Sequence, residues 1–286
     1  MIVCNIQGGL GNQMFQYAAA FADGRLLYID LDFLNNHNDS TDTFTARKFE
    51  LDLFPNIKYK KANSRIKKIF FSKKLKYKIY RSFKKTITIQ QNENELMYLP
   101  TKGNVYLNGY FQSEKYFNHK RAELLRIFEF PELDTKNNKI KEKIINAENS
   151  ISIHVRRGDY LKPEVLKYHG VLTNQYYQEA LKTINKNLTN YTVFVFSDDP
   201  NYCKTILFKD EENVNIITGN EKDAWKDMCL MSHCQHHIIA NSSFSWWAAW
   251  LSQAENGIKI APKKWFNALN TDFNINDIVP SSWLKI

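Results

Sequence analysis

Two arginines, a glycine and an aspartate close the run Ile151-Ser-Ile-His-Val-Arg-Arg-Gly-Asp-Tyr160. Ile151, Ile153 and Val155 alternate with Ser152, His154 and Arg156, the period of two that a half-buried β-strand requires. That register places His154 and Arg156 on one face and turns Arg157 to the other. Gly158 permits a sharp turn, and Asp159 follows where aspartate is favoured. A guanidinium fixed at the end of a strand presents a planar fork that matches phosphate oxygens two at a time. The same residues also suit an ordinary strand-end Arg–Asp ion pair, and both readings stand at this point.

Two more strand ends carry polar groups of the same kind. Ser197-Asp198-Asp199-Pro200 follows the apolar stretch 192–196, and Asn241-Ser242-Ser243-Phe244-Ser245 follows 237–240. Each can be no more than a helix cap. Next to a nucleotide, a carboxylate of Asp198 or Asp199 can instead accept from a guanine edge, and the amides and hydroxyls after Asn241 suit a pyrophosphate. In an open parallel sheet, ligands bind outside the carboxyl ends of strands, so three such ends predict one crevice. Near the amino end, Gly8-Gly9-Leu10-Gly11-Asn12-Gln13 sits between a strand and a helix, where glycines admit a ligand close to backbone amides. It is neither a dinucleotide fingerprint, since Met14 stands at the third glycine position, nor a Walker loop.

The elements that position these groups follow an α/β rhythm. The first half reads as a strand over 2–6, a helix over 12–22 capped by Asn12, strands over 26–31 and 105–110, and a helix over 113–127, with an irregular basic stretch between 58 and 100. Phe130-Pro131-Glu132 and the polar run 134–143 mark a boundary, giving an amino-terminal α/β domain over 1–145 and a carboxyl-terminal one over 146–286. The second half restarts with strands over 151–155, 192–196, 214–217, 237–240 and 258–260. Helices over 174–188 and 223–232 come between them, and another carries Trp246, Trp247 and Trp250, whose spacing suits a core.

Hydrophobic and aromatic contents of 43% and 14% describe a globular chain. The start, Met1-Ile-Val-Cys-Asn-Ile6, lacks the basic region and cleavage site of a secretory signal, and no apolar run approaches the ~18 residues needed to span a bilayer, so a cytoplasmic protein is expected. Four cysteines then fit reduced thiols. Cys229, Cys234, His233, His236 and His237 match no standard zinc spacing, and no metal is expected. Of the 39 basic residues, thirteen lie between Lys58 and Lys85, where there is no Asp or Glu, leaving 26 basic against 30 acidic elsewhere. Ile66, Ile69, Phe70, Tyr77 and Tyr80 recur there at helical spacing, so the run reads as a basic amphipathic helix in peripheral contact with anionic inner-membrane lipid, or as a solvated face. No nucleic-acid module accompanies it, and no nucleic-acid partner is expected.

Together the segments at 8–18 (GGLGNQMFQYA), 108–117 (NGYFQSEKYF), 154–160 (HVRRGDY), 196–199 (FSDD) and 240–251 (ANSSFSWWAAWL) resemble, in order, the galactoside α-1,2-fucosyltransferases of the blood-group-H type, glycosyltransferase family 11. The resemblance implies a GT-B-type fold of two Rossmann-like α/β domains facing across a cleft, with the acceptor served by the first domain and the GDP-sugar bound by the second. It further implies GDP-fucose as donor, inversion at the fucosyl carbon, no cofactor or required metal, and a galactose-terminated oligosaccharide or lipid-linked glycan as acceptor, in bacterial surface-glycan synthesis. Carried over residue by residue, Arg156 stabilises the leaving β-phosphate with help from Arg157. His154 and Asp198 or Asp199 hold guanine, and Ser243 holds phosphate. Gly158, Ser197, Asn241, Ser242, Phe244, Gly9, Gly11, Asn12 and Gln13 complete the expected donor site. Asp159 is either the general base or the partner that orients an arginine. The stretch 18–28 is shorter than the family pattern, and residues 58–100 match little of it, so the acceptor is undefined. A transferase for another GDP-sugar, and a non-catalytic membrane- or nucleic-acid-binding protein, are the alternative readings.

Overall fold

The computed structural model describes every residue except 42–43, 92–94, 187, 189, 210, 212 and 268–273. It divides into two compact units. The first comprises Met1–Pro131 and a return segment that ends at Pro280, and the second comprises the chain from Glu132 up to that return, with Ser281–Ile286. The boundary therefore falls between Pro131 and Glu132 and not at 145. Residues 135–146 form a helix that packs on the second unit, and its polar surface imitates a linker in sequence.

In the first unit the chain runs through β1 (Ile2–Asn5), α1 (Leu10–Ala22), β2 (Leu27–Asp30), α2 (Asp32–Asn36), β3 (Lys60–Lys61), α3 (Ser64–Phe71), α4 (Leu75–Phe83), β4 (Ile87–Gln90), β5 (Val105–Asn108) and α5 (Arg121–Ile127). The five strands form a parallel sheet in the order β3-β2-β1-β5-β4. All four residues of β1 are buried, as expected of a parallel strand covered on both faces. α1 begins at Leu10, earlier than the expected Asn12 cap, with Gly9 in extended conformation as its N-cap. Two differences from the expected elements stand out. Within the 58–100 stretch, residues 60–90 form two strands and two helices, and Ile66, Ile69 and Phe70 give α3 an apolar face that docks on Val3 and Tyr106. Of the helix expected over 113–127, only α5 forms; two 3-10 turns precede it, the first capped by Ser113 Oγ.

The second unit holds α6 (Thr135–Asn146), β6 (Ser150–Val155), α7 (Pro163–His169), α8 (Asn174–Asn185), β7 (Thr192–Ser197), α9 (Pro200–Tyr202, continued by one π-helical stretch), β8 (Val214–Ile217), α10 (Trp225–Ser232), β9 (His236–Ile238), α11 (Ser243–Leu251) and β10 (Lys259–Ala261). The chain then returns to the first unit as α12 (Ile275–Ile278) before closing on β11 (Leu284–Lys285). These strands make a six-stranded parallel sheet, β11-β10-β9-β6-β7-β8, the doubly wound order. β6 is buried on both faces, so the half-buried strand of the sequence reading is a fully buried one. One face packs Ile151, Ile153 and Val155 on Tyr177, Ala180 and Ile184 of α8. The other carries Ser152, whose Oγ lies 2.8 Å from His237 Nδ1, and His154, whose ring meets Phe244 of α11. Trp246, Trp247 and Trp250 are buried against one another and Trp283, as their spacing predicts. All four cysteines are free and buried. Among the described residues, no helix is long and apolar enough to cross a membrane.

Candidate functional site

In the second sheet the strand order reverses once, between β6 and β9, while in the first β1 lies between β2 and β5 with β4 at the far edge. Such a switch point opens a crevice at the carboxyl ends of the strands. The expected site residues of the second unit gather at its switch point and at the adjoining end of β7.

Arg156 leaves β6 on the His154 face and is held by two carboxylates. Its Nη2 donates to Asp159 Oδ1 at 2.6 Å, and its Nη1 lies 2.8 Å from Asp198 Oδ2. The other oxygen of Asp198 accepts from the backbone N–H of Arg157 at 2.8 Å. Gly158 makes this approach possible, because a β-carbon there would stand 2.7 Å from Asp198 Oδ2. The Arg156 guanidinium also lies over the Tyr160 ring, 5.4 Å from its centre. Tyr160 in turn stacks on His169, with ring centres 4.7 Å apart, and donates its hydroxyl to the Asn241 carbonyl. Three strand ends and the last residue of α7 are thus tied around one guanidinium.

Arg157 has a different environment. It sits 3.6 Å over the Tyr202 ring and 3.2 Å from Asp199 Oδ2. Asp199 caps α9 by accepting from the Tyr202 N–H, and its own N–H donates to Ser197 Oγ. Arg157, Ser197 and Asp199 therefore form a clamp at the end of β7. Asn241 is also used internally. Its Nδ2 donates to the carbonyls of His169, at 2.9 Å, and Trp265, at 3.1 Å. Ser242 caps α11, its Oγ accepting from the Phe244 N–H. Ser243 opens the helix beside it and, like Phe244, stays part-exposed.

The electrostatics set this crevice apart from a plain anion cradle. Arg156 and Arg157 face Asp159, Asp198 and Asp199, so the paired charges sum to one negative. His154 adds no positive charge at neutral pH. Burial lowers its pKa to about 4, with Arg156 acting in the same direction against Asp198. His169 is held to about 4 by burial too, with Asp159 and Arg156 opposing one another. Three buried polar atoms here lack a partner: His154 Nδ1, His169 Nδ1 and Asn241 Oδ1. Buried polar groups are normally hydrogen-bonded, so a cluster of orphans marks a place for an incoming polar ligand. Among the described residues, no group of three or more His, Cys, Asp or Glu is placed to hold a metal ion.

The glycine loop of the first unit differs. Gly8 takes a positive φ of 77°, and Gly11, Asn12 and Gln13 lie in the first turns of α1. Gln13 is fully buried. It donates to the carbonyls of Gly8 and Lys48 and accepts from the Glu50 N–H, so it braces the loop. Asn12 accepts from Gln112 Nε2. Gly9 lies beneath the Arg47 side chain.

Sequence reasoning passed over His169, Tyr160 as a platform, and Arg47. Tyr160 stood within the motif; a histidine before the helix-ending Gly170 was the available signal for His169. Arg47 offered none.

Two parallel α/β units of this topology define the GT-B class of glycosyltransferase. A crystal structure of NodZ α-1,6-fucosyltransferase with GDP shares the fold, with TM-score 0.50 and 15% identity over 87% of this chain and 91% of that one. The chain belongs to glycosyl transferase family 11, whose sequence model matches residues 1–286, and it is a glycosyltransferase. It is 34% identical to an α-1,2-colitosyltransferase of Escherichia coli, covering 100% of this chain and 99% of the relative. It is 33% identical to the O-antigen biosynthesis glycosyltransferase WbnK of the same species, over 98% and 99%. A galactoside 2-α-L-fucosyltransferase of Bos taurus is 28% identical over 52% of this chain and 42% of that protein.

Proposed function

We propose that the chain transfers L-fucose from GDP-β-L-fucose to the 2-hydroxyl of a galactoside, with inversion, in the synthesis of a bacterial surface glycan. One observation carries the reading: Arg156 stands at the β6–β9 switch point, beside orphaned His154 and the start of α11. In the reaction, the C1–O bond to the β-phosphate breaks and its electron pair stays on the phosphate. The acceptor oxygen bonds C1 from the opposite face, and its proton is released. Arg156 meets the charge that develops on the leaving group, which is where a fixed cation acts most strongly. Asp198 accepts from the guanine edge and neutral His154 supplies a hydrogen bond without adding charge. Asp159 orients Arg156, since an oxocarbenium-like transition state asks little of a base. No metal is assigned a role.

The name of the α-1,2-colitosyltransferase, matched over the whole chain, favours one second reading, transfer of colitose from its GDP form. Colitose differs from fucose by the missing hydroxyl at C3. A site that hydrogen-bonds a sugar hydroxyl rejects the deoxy analogue strongly, so competition between the two donors separates the readings. The test is incubation of the protein with GDP-fucose or GDP-colitose and a panel of β-galactosides, with products read by mass and linkage. A fucosylated product linked at O2 is expected. Colitosyl transfer alone would replace the first reading with the second, and no product with no GDP binding would remove both.

A further inference from the structure

The basic run contains a surface that donor chemistry does not use. α3 is fixed to the sheet of its own unit through Ile66, Ile69 and Phe70, and Asn63 caps its first turn. α4 lies outside it. Arg81 ties the two helices, donating to the carbonyls of Ile69 at 3.0 Å and Ser72 at 2.9 Å. In so doing it turns the opposite side of α4 outward. That side carries Leu75, Ile79 and Phe83 at intervals of four, exposed by 71%, 61% and 81%, and no residue of α4 is buried. Side chains four apart form one stripe. Lys73 and Lys74 precede the stripe, Lys76 and Lys78 flank it, and Lys84 and Lys85 follow. Of the thirteen cations between Lys58 and Lys85, only Lys67 is in an ion pair among the described residues, with Asp30 and Asp32.

We infer that α4 is an interfacial anchor, docking on an anionic lipid bilayer with Leu75, Ile79 and Phe83 in the acyl boundary and the lysines on the headgroups. An apolar stripe bordered by cations without ion pairs complements a surface that is apolar below and anionic above. A second copy of the chain would bring the same cations against themselves. Nucleic acid would meet the lysines but has no use for exposed leucine and isoleucine.

The full chain should float with vesicles of phosphatidylglycerol and phosphatidylcholine, and not with phosphatidylcholine alone. The variant L75S/I79S/F83S should partition roughly tenfold or more weakly, since three apolar contacts are lost. These side chains are exposed, so its thermal unfolding should match the parent. F83W should give an emission difference spectrum that shifts to the blue on anionic vesicles. Binding undiminished in the triple variant, or an unshifted F83W spectrum, would overturn insertion. A concentration-dependent dimer, or RNA binding, abolished by the triple variant would assign the stripe to that occupant and overturn the lipid proposal.

Discussion

The central strand ends of the two sheets, β1–β5 in the first and β6–β9 in the second, carry different side chains. At the β1–β5 end of the first sheet, amide side chains close on their own unit: Asn5 Nδ2 donates to Asn108 Oδ1, Gln16 Nε2 to the Gly109 carbonyl and Gln112 Nε2 to Asn12 Oδ1. At the β6–β9 end, charged groups hold one another and three buried atoms have no partner, against one, Gln112 Oε1, at the β1–β5 end. The two ends differ in charge and in how many buried polar atoms they leave without a partner.

The comparison can be broken most forcefully at its charged end. Arg156→Ala should lower kcat by ~10²-fold or more, as for loss of one main stabiliser of transition-state charge. Asp159→Asn, which weakens only the orientation of Arg156, should cost distinctly less, and near-normal turnover in the first variant would detach Arg156 from the chemistry. Gln13→Ala tests the closed end. With the carbonyls of Gly8 and Lys48 and the Glu50 N–H left without their partner, urea unfolding should show a loss of about 2 kcal/mol, while calorimetry finds GDP affinity unchanged. Weaker GDP binding without loss of stability would reverse the contrast.

Gly158→Ala sharpens it further. The added methyl displaces the Asp198 carboxylate from Arg156 and the Arg157 N–H, so GDP affinity should fall about tenfold, as for one charge-assisted hydrogen bond. The smallest effect at neutral pH concerns His154. Its folded pKa of about 4 lies below its usual value of 6.5, so it contributes stability that is present above 6.5 and lost as pH falls toward 4. Between those values His154→Gln should unfold with a shallower pH dependence than the parent in parallel thermal melts; an equal slope would mean that His154 is not held neutral.

Much of this contrast was open to sequence reasoning only in outline. The alternation in 151–156 identified β6 and the shared face of His154 and Arg156, because a strand's side-chain pattern is local. The tryptophans of α11 were legible for the same reason. The helix α6 was obscured by lysine and asparagine, which leave few apolar positions to mark a period. At the site, the roles of Asn241, Gln13 and Arg157 could not be read because each is fixed by partners distant in sequence. Asn241 bonds residues 72 positions earlier and 24 later, and Gln13 bonds one 35 positions on. Composition said that these side chains could bind; only packing said to what.

The return of α12 to the first unit has a consequence for how the molecule is made. Lys115 Nζ pairs with Asp277 Oδ1 at 2.5 Å across 162 residues of chain, and Ile278 and Val279 are buried. A ribosome working from the amino end releases the whole second unit's first five strands before it supplies this last piece of the first. The amino-terminal unit, begun first, is finished last, and a chain cut anywhere before residue 275 leaves it open.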